Sequence, residues 1–377
     1  MPSGRQRAPV WPRHEPDETD RPVLKVLAWV PYPTGRVPGQ RYRIEQWEPW
    51  LRREGLVVRF APFLSPGGLD VLHRPGRQLV KVREVLRGYV RRLRQRAQLQ
   101  THDVIYLYRE AALLAPAWLE RRLLAGRPVV YDFDDAIYLP AASAANAWAR
   151  CLRGRTKTVT LCRLARHVTV GNDVLARFAH PWASALSVVP STIDTEQYRQ
   201  SPRRPGPRPV VGWTGSVTTL PYLEALAPAL RQLRSEVDFE LRVIGGEPRL
   251  PGVDVRSVPW AAETETQDLQ PLDVGLMPLP EDDWARGKCG MKALQYMALG
   301  IPPVVSPVGV NATLVQDGVN GLHARGEQEW VAALRRLLAD ADLRRRLGSA
   351  ARRTVEASYS AAVQAPRMAR ILKEAAA

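Results

Sequence analysis

The chain lacks any apolar run near the roughly 20 residues that a membrane-spanning helix needs, and no apolar leader-like segment follows its start. It has only three cysteines, Cys151, Cys162 and Cys289, without CxxC spacing. None has a histidine partner at metal-ligand spacing, which argues against a disulfide framework or a structural zinc. A reduced, cytoplasmic setting with no metal site and no cofactor is therefore expected. The chain is also short of acid, with 38 Asp and Glu against 54 Lys and Arg and a formal net charge of +16. Such an excess suits an anionic partner: nucleic acid, an anionic membrane or a phosphorylated substrate. No recognised nucleic-acid-binding motif is present, so no nucleic-acid partner is expected. Neither half has a glycine fingerprint followed by a ribose-binding acid, which counts against a nicotinamide oxidoreductase.

What is present is a regular alternation. With 377 residues, the chain is long enough for two α/β domains, each with its own core. Short apolar runs at 23–30, 56–63, 103–108, 128–133, 167–171 and 186–190 read as strands separated by helical stretches. The basic, proline-dense stretch 199–208 reads as a linker. A second series follows, with strands at 209–213, 239–244, 253–258 and 273–279, and a helix at about 221–233. Alternation of this kind implies parallel sheets covered on both faces. The fold class expected is α/β, two Rossmann-like domains whose parallel sheets face each other across a cleft. The boundaries expected are a disordered tail 1–21, domains 22–198 and 209–360, and a last helix 361–377, bent at Pro366, that returns to the first domain.

The stretch 288–311, KCGMKALQYMALGIPPVVSPVGVN, organises the second half. Gly287 and Gly290 open a helix, Gly300 caps its end, and Pro302 and Pro303 prevent its resuming. A helix N-terminus favours anions, yet Lys288 and Lys292 stand at this one, where the helix dipole disfavours them. Two cations so placed point to a phosphate. The strand 128–133 ends in Asp132-Phe133-Asp134-Asp135, and carboxylates at such a strand end point into the ligand crevice. Asp134 and Asp135 are thus candidate catalytic groups, or else a helix cap and an arginine partner. The segment 79–96 places Leu79, Val82, Leu86, Tyr89 or Val90, and Leu93 at helical spacing beside seven cations and one acid, Glu84. It reads as a solvated helix packed on the core, or as one that meets an anionic membrane surface.

The run Gln295-Tyr-Met-Ala-Leu-Gly-Ile-Pro-Pro-Val-Val resembles the nucleotide-sugar signature of family-4-type (GT-B) glycosyltransferases. The resemblance covers most of residues 22–360 and is strongest in the last third. It implies a retaining, metal-independent transferase whose partners are a nucleotide sugar and a saccharide or lipid-linked acceptor. The first domain would hold the acceptor, at the inner face of a membrane if the basic helix binds there. It further implies donor binding by Gly215, Ser216, Trp260, Lys288, Gly290, Met291, Lys292 and Gln295, with Trp260 beside the base. Gly39, Arg41 and Arg43 would form a phosphate or acceptor loop, and Asp134 would stand where the family commonly has a histidine near the sugar. The chain departs from the pattern at Gly287 and Gln295, both usually acidic, and lacks the arginine and lysine that often follow the strand VVGWT. A metal-dependent Asp-x-Asp transferase and a basic nucleic-acid-binding α/β protein remain the alternatives.

Overall fold

Alternate side chains of a strand leave on opposite faces, and in the first strand both sets are apolar. Leu27 and Trp29 enter one buried cluster, while Val26, Ala28 and Val30 enter another. A strand buried on both faces is suited to the middle of a parallel sheet. The computed structural model describes residues 23–72, 76–113, 116–139, 155–201 and 206–377. The expected tail 1–21, Cys151 and residues 202–205 of the expected linker lie outside the described residues.

Two six-stranded sheets are formed, both wholly parallel. The first comprises β1 (Leu24–Val30), β2 (Leu56–Pro62), β3 (Val104–Tyr108), β4 (Val129–Phe133), β5 (His167–Val170) and β6 (Leu186–Val188), in the order β2-β1-β3-β4-β5-β6. The second comprises β7 (Val210–Thr214), β8 (Glu240–Ile244), β9 (Val255–Val258), β10 (Val274–Met277), β11 (Pro303–Val305) and β12 (Leu322–His323), in the order β12-β11-β10-β7-β8-β9. The direction of winding reverses between β1 and β3, and again between β7 and β10. Open α/β sheets bind ligands outside the strand ends at such reversals. The fold class read from the sequence is the one observed.

The helix Ala361–Ala376 lies on the first sheet, with Met368, Ala369 and Leu372 in the cluster that holds Val26, Ala28 and Tyr106. It runs through Pro366 as a single helix. The helix expected at about 221–233 is two, Leu220–Glu224 and Ala227–Glu236. Pro228 explains the break, because it cannot donate to Glu224 and its ring crowds that carbonyl.

The basic helix Gln78–Arg94 forms, but its orientation corrects the expectation that its apolar stripe packs on the core. Lys81, Val85, Gly88 and Arg92 face inward, and Leu79, Val82, Leu86, Val90 and Leu93 face outward. Arg92 donates to the carbonyls of Val30 at 2.8 Å and of Ala61 and Ala111 at 2.5 Å. Gly88 lies so close to Phe63 that a Cβ would stand 2.4 Å from the ring. These contacts fix which face turns inward.

At the centre of the second sheet, a Cβ on Gly275 would meet the Tyr296 ring at 2.3 Å. Gly275→Ala is expected to lower the unfolding free energy by about 1–3 kcal/mol through overpacking, read as a lower urea midpoint at unchanged slope.

Candidate active site

The loop after β3 places Arg109 in a left-handed backbone conformation, with φ 56°. A residue with a side chain adopts that region at a cost, and such strain clusters at functional sites. Arg109 Nε and Nη2 donate to Asp134 Oδ1 at 2.9 and 2.6 Å, and Tyr108 donates to the same oxygen at 2.9 Å. Arg109 also pairs with Asp135. Burial pushes the Asp134 carboxyl upward, but Arg109 and Arg43 outweigh it and hold the group below its ordinary value. Asp134 is therefore an ionised anchor for Arg109, the arginine pairing that stood as the alternative to its expected catalytic place; Asp135, with a quarter of its side chain exposed, is the more open of the two. Gly39 backs directly onto this group, since a Cβ there would stand 2.8 Å from the Tyr108 hydroxyl and 3.3 Å from Asp134.

Arg43 and Arg41 are not free for a phosphate. Arg43 is fully buried and donates from Nε to Asp132 at 3.0 Å, from Nη2 to the same carboxylate, and to the Val189 carbonyl at 2.6 Å. Arg41 donates to Glu265 at 3.1 Å, across the boundary between the two sheets. Gln295 also departs from its expected role, because its amide donates to Glu265 at 3.0 Å and to the Tyr42 hydroxyl at 2.9 Å. The arginines were legible only as cations; their partners are 89 and 224 residues away in sequence.

In the second half, several expected residues do converge. Lys292 packs over Gly215 at the end of β7: a Cβ on Gly215 would stand 2.8 Å from Lys292 Cε and 2.5 Å from the Trp213 ring. Its ammonium lies 5.4 Å from the centre of that ring. Gly245, at φ 96°, presses against the Gly215 carbonyl, and Trp260 borders Gly245 while donating to Glu265 at 2.9 Å. Ser216 is exposed beside them. Gly290, at φ 70°, begins the helix Met291–Ala298, with Met291 half-buried against its core. Lys288 lies with its ammonium 5.5 Å from the Trp284 ring.

Lys292 has no hydrogen-bonded or ion-paired anion among the described residues. Burial, and then the neighbouring Lys288, pull its ammonium down to about 7, while Asp135 of the first half acts in the other direction. A cation that gains no anionic partner from the described residues, set at a strand-order reversal, is poised for an anionic ligand.

The departure at Gly287 has a physical reason. A Cβ at this position would stand 2.7 Å from the Ala136 Cβ, just beyond the Asp134-Asp135 pair. The loop is bound down there: Asn172 donates to the carbonyls of Gly287 at 3.0 Å and Lys288 at 3.1 Å, and the Cys289 thiol donates to the Asp134 carbonyl at 3.0 Å. A carboxylate side chain has no room there.

Residues 208–340 match the family of glycosyl transferases group 1. This stretch contains all of the second sheet and both lysines. A D-inositol 3-phosphate glycosyltransferase of Nocardia farcinica is 28% identical over 194 residues, 43% of this chain and 42% of that protein. The chain thus spans about two fifths of the length of that relative. Sucrose-phosphate synthase from Thermosynechococcus elongatus superposes with a TM-score of 0.69 at 16% identity, over 93% of this chain and 98% of that one. Anabaena HepE in complex with UDP superposes at 0.62 and 17% identity, over 93% and 100%. These likenesses establish the GT-B fold.

Arg109 was not singled out from the sequence, although its place directly after β3 at the strand reversal was a usable signal. Glu265 carried none. Glu265→Ala should lower the unfolding free energy by about 3–5 kcal/mol, since it strands the buried Arg41. Denaturant titration of the intact chain measures this.

Proposed function

We propose that this chain is a glycosyltransferase that moves a sugar from a nucleotide-diphosphate sugar to a saccharide or lipid-linked acceptor. The observation that carries the reading is Lys292, without an anionic partner among the described residues and packed over Gly215 at the end of β7, within a stretch matched by glycosyl transferases group 1. Lys292, with Lys288 on the same loop and helix, would meet the diphosphate, and the backbone of Gly215 and Ser216 would approach it without a bulky side chain in the way. As the bond from the sugar carbon to the diphosphate breaks, negative charge grows on the leaving oxygen. A fixed cation there stabilises that charge more than it stabilises the bound donor. Trp260, half-buried beside Gly245, supplies an aromatic surface for the base.

On this reading the acceptor enters from the first sheet. A cavity of about 80 Å³ lies there between Tyr32, Arg109, Leu113, Ile137, Leu139 and Trp284. Its apolar and aromatic walls suit the faces of a sugar ring, and Arg109 supplies fixed donors for its hydroxyls. Asp135 stands at the boundary, close enough to Lys292 to influence its proton. We assign it to orienting the attacking hydroxyl, with retention of configuration at the sugar carbon.

We also propose that the reaction needs no divalent metal. Asp132, the first carboxylate of the Asp-x-Asp pair, is closed off by Arg43 and by Thr169, which donates at 2.7 Å. Asp134 is likewise engaged by Arg109 and Tyr108. Asp132 has no oxygen free for a bridging cation, and Asp134 has its Oδ1 taken, so the two do not form the pair of open carboxylates that such a cation requires. UDP affinity should accordingly be unchanged by EDTA in calorimetry, and a strict requirement for a divalent ion would return weight to the metal-dependent reading.

Lys292→Ala should weaken UDP binding by about 1.5–3 kcal/mol, with the thermal transition of the free protein unchanged or raised. The same lysine sets the pH dependence. Its ammonium titrates at about 7 in the free protein, and a bound diphosphate raises that value. Binding above pH 7 must therefore take up a proton, and affinity should fall by about tenfold per pH unit as the pH rises through 7 to 9. Calorimetry across this range should show the slope in wild type and its absence in Lys292→Ala.

A further inference from the structure

We propose that the helix Gln78–Arg94 docks the protein on an anionic bilayer by sinking its outward apolar stripe into the headgroup–acyl boundary. Leu79, Leu86 and Leu93 are 86%, 60% and 51% exposed, and Val82 and Val90 lie between them on the same face. At 100° per residue, these five positions fall within one 80° sector, a continuous ridge along four turns. No described residue covers it. The inward face cannot exchange with it, because Arg92 is held by three carbonyls and Gly88 by the Phe63 ring.

Two features select a bilayer as the occupant. The first is charge: Arg83 and Arg94 border the stripe, are exposed, and have no acidic partner among the described residues. A ridge of leucines with guanidinium groups along its edge matches an acyl layer below a plane of lipid phosphates. The second is aromatic. Tyr89, on the other border of the stripe, stacks on the half-exposed Trp118 with ring planes 1° apart. Tryptophan and tyrosine gather at the depth where the bilayer turns polar.

The placement relates this surface to the cleft. Arg92 binds the carbonyl of Val30, and the cavity between the two halves begins at Pro31. The docked helix thus lies against the strand end from which the wall of that cavity begins. On the transferase reading, which this last step rests on, a lipid-linked acceptor reaches the cavity from the membrane while its tail remains in it.

The test is co-sedimentation of the full chain with vesicles of phosphatidylglycerol and phosphatidylcholine, compared with phosphatidylcholine alone. Wild type should bind the anionic vesicles and keep part of that binding in about 0.5 M salt, where the Debye length is only a few ångströms and charge attraction is screened. The triple variant Leu79→Ser, Leu86→Ser, Leu93→Ser should lower the partition coefficient at least about 100-fold. Arg83→Glu with Arg94→Glu should remove the preference for anionic lipid. Wild type that ignores anionic vesicles at low salt overturns the proposal, as does binding that salt abolishes and the serine variant retains. A concentration-dependent dimer in sedimentation velocity, dissolved by the serine variant, also overturns it in favour of a second copy on the stripe. A thermal shift with UDP in each variant reports folding and donor binding separately. If that shift is absent from wild type while vesicle binding holds, the transferase reading falls and the docking stands.

Discussion

Glu265 carries a negative charge into a space closed to water, and five donors from both halves of the chain surround it. Oε2 accepts from Arg41 at 3.1 Å, Tyr42 at 3.0 Å and Tyr198 at 2.6 Å; Oε1 accepts from Trp260 at 2.9 Å and Gln295 at 3.0 Å. A buried carboxylate is tolerated only when its lone pairs are met. This cluster therefore favours one relation between the sheets, the one in which all five donors arrive together. Burial, and then the Glu265 charge (for Tyr42 also the neighbouring Tyr198), push the Tyr42 and Tyr198 hydroxyls upward against the pull of Arg41, so both keep the protons they donate.

The remainder of the cleft depends on that relation. With the halves so placed, the Gly287–Cys289 loop rests on Asp134, Ala136 and Asn172, and Lys292 comes within the field of Asp135. The close approach requires small residues on both sides. A Cβ on Gly171 would stand 2.2 Å from the Cys289 sulfur, and one on Gly287 would strike Ala136. The space that a carboxylate would need has gone to packing between the halves. Fixed geometry at the cleft and the loss of an acidic side chain at 287 are two consequences of one constraint.

Positive charge is divided in the same way between structure and surface. Arg43 and Arg92 are fully buried, the first against Asp132 and the second against backbone carbonyls at strand ends. They add to the net charge of +16 without offering it to a partner. Arg92 illustrates why a guanidinium suits such a place, since its planar fork reaches three acceptors at once.

The alternation of apolar runs and helical stretches determined the two parallel sheets, because side-chain period and burial on both faces follow directly from residue type. The glycines and lysines at 287–292 likewise marked the candidate anion site, since a helix N-terminus and its charge are local properties. The tertiary structure decided what each polar residue serves. Arg41, Arg43 and Gln295 read as ligand groups, yet meet partners brought from distant parts of the chain. Arg109 acquired its place from β3 and β4 lying side by side. The basic helix shows the limit most plainly. Its periodicity fixed that there would be an apolar face and a charged one, but a period is the same for either orientation. Which face turned inward was settled by Arg92, Gly88 and the strand ends beneath them, contacts that exist only once the first sheet is assembled.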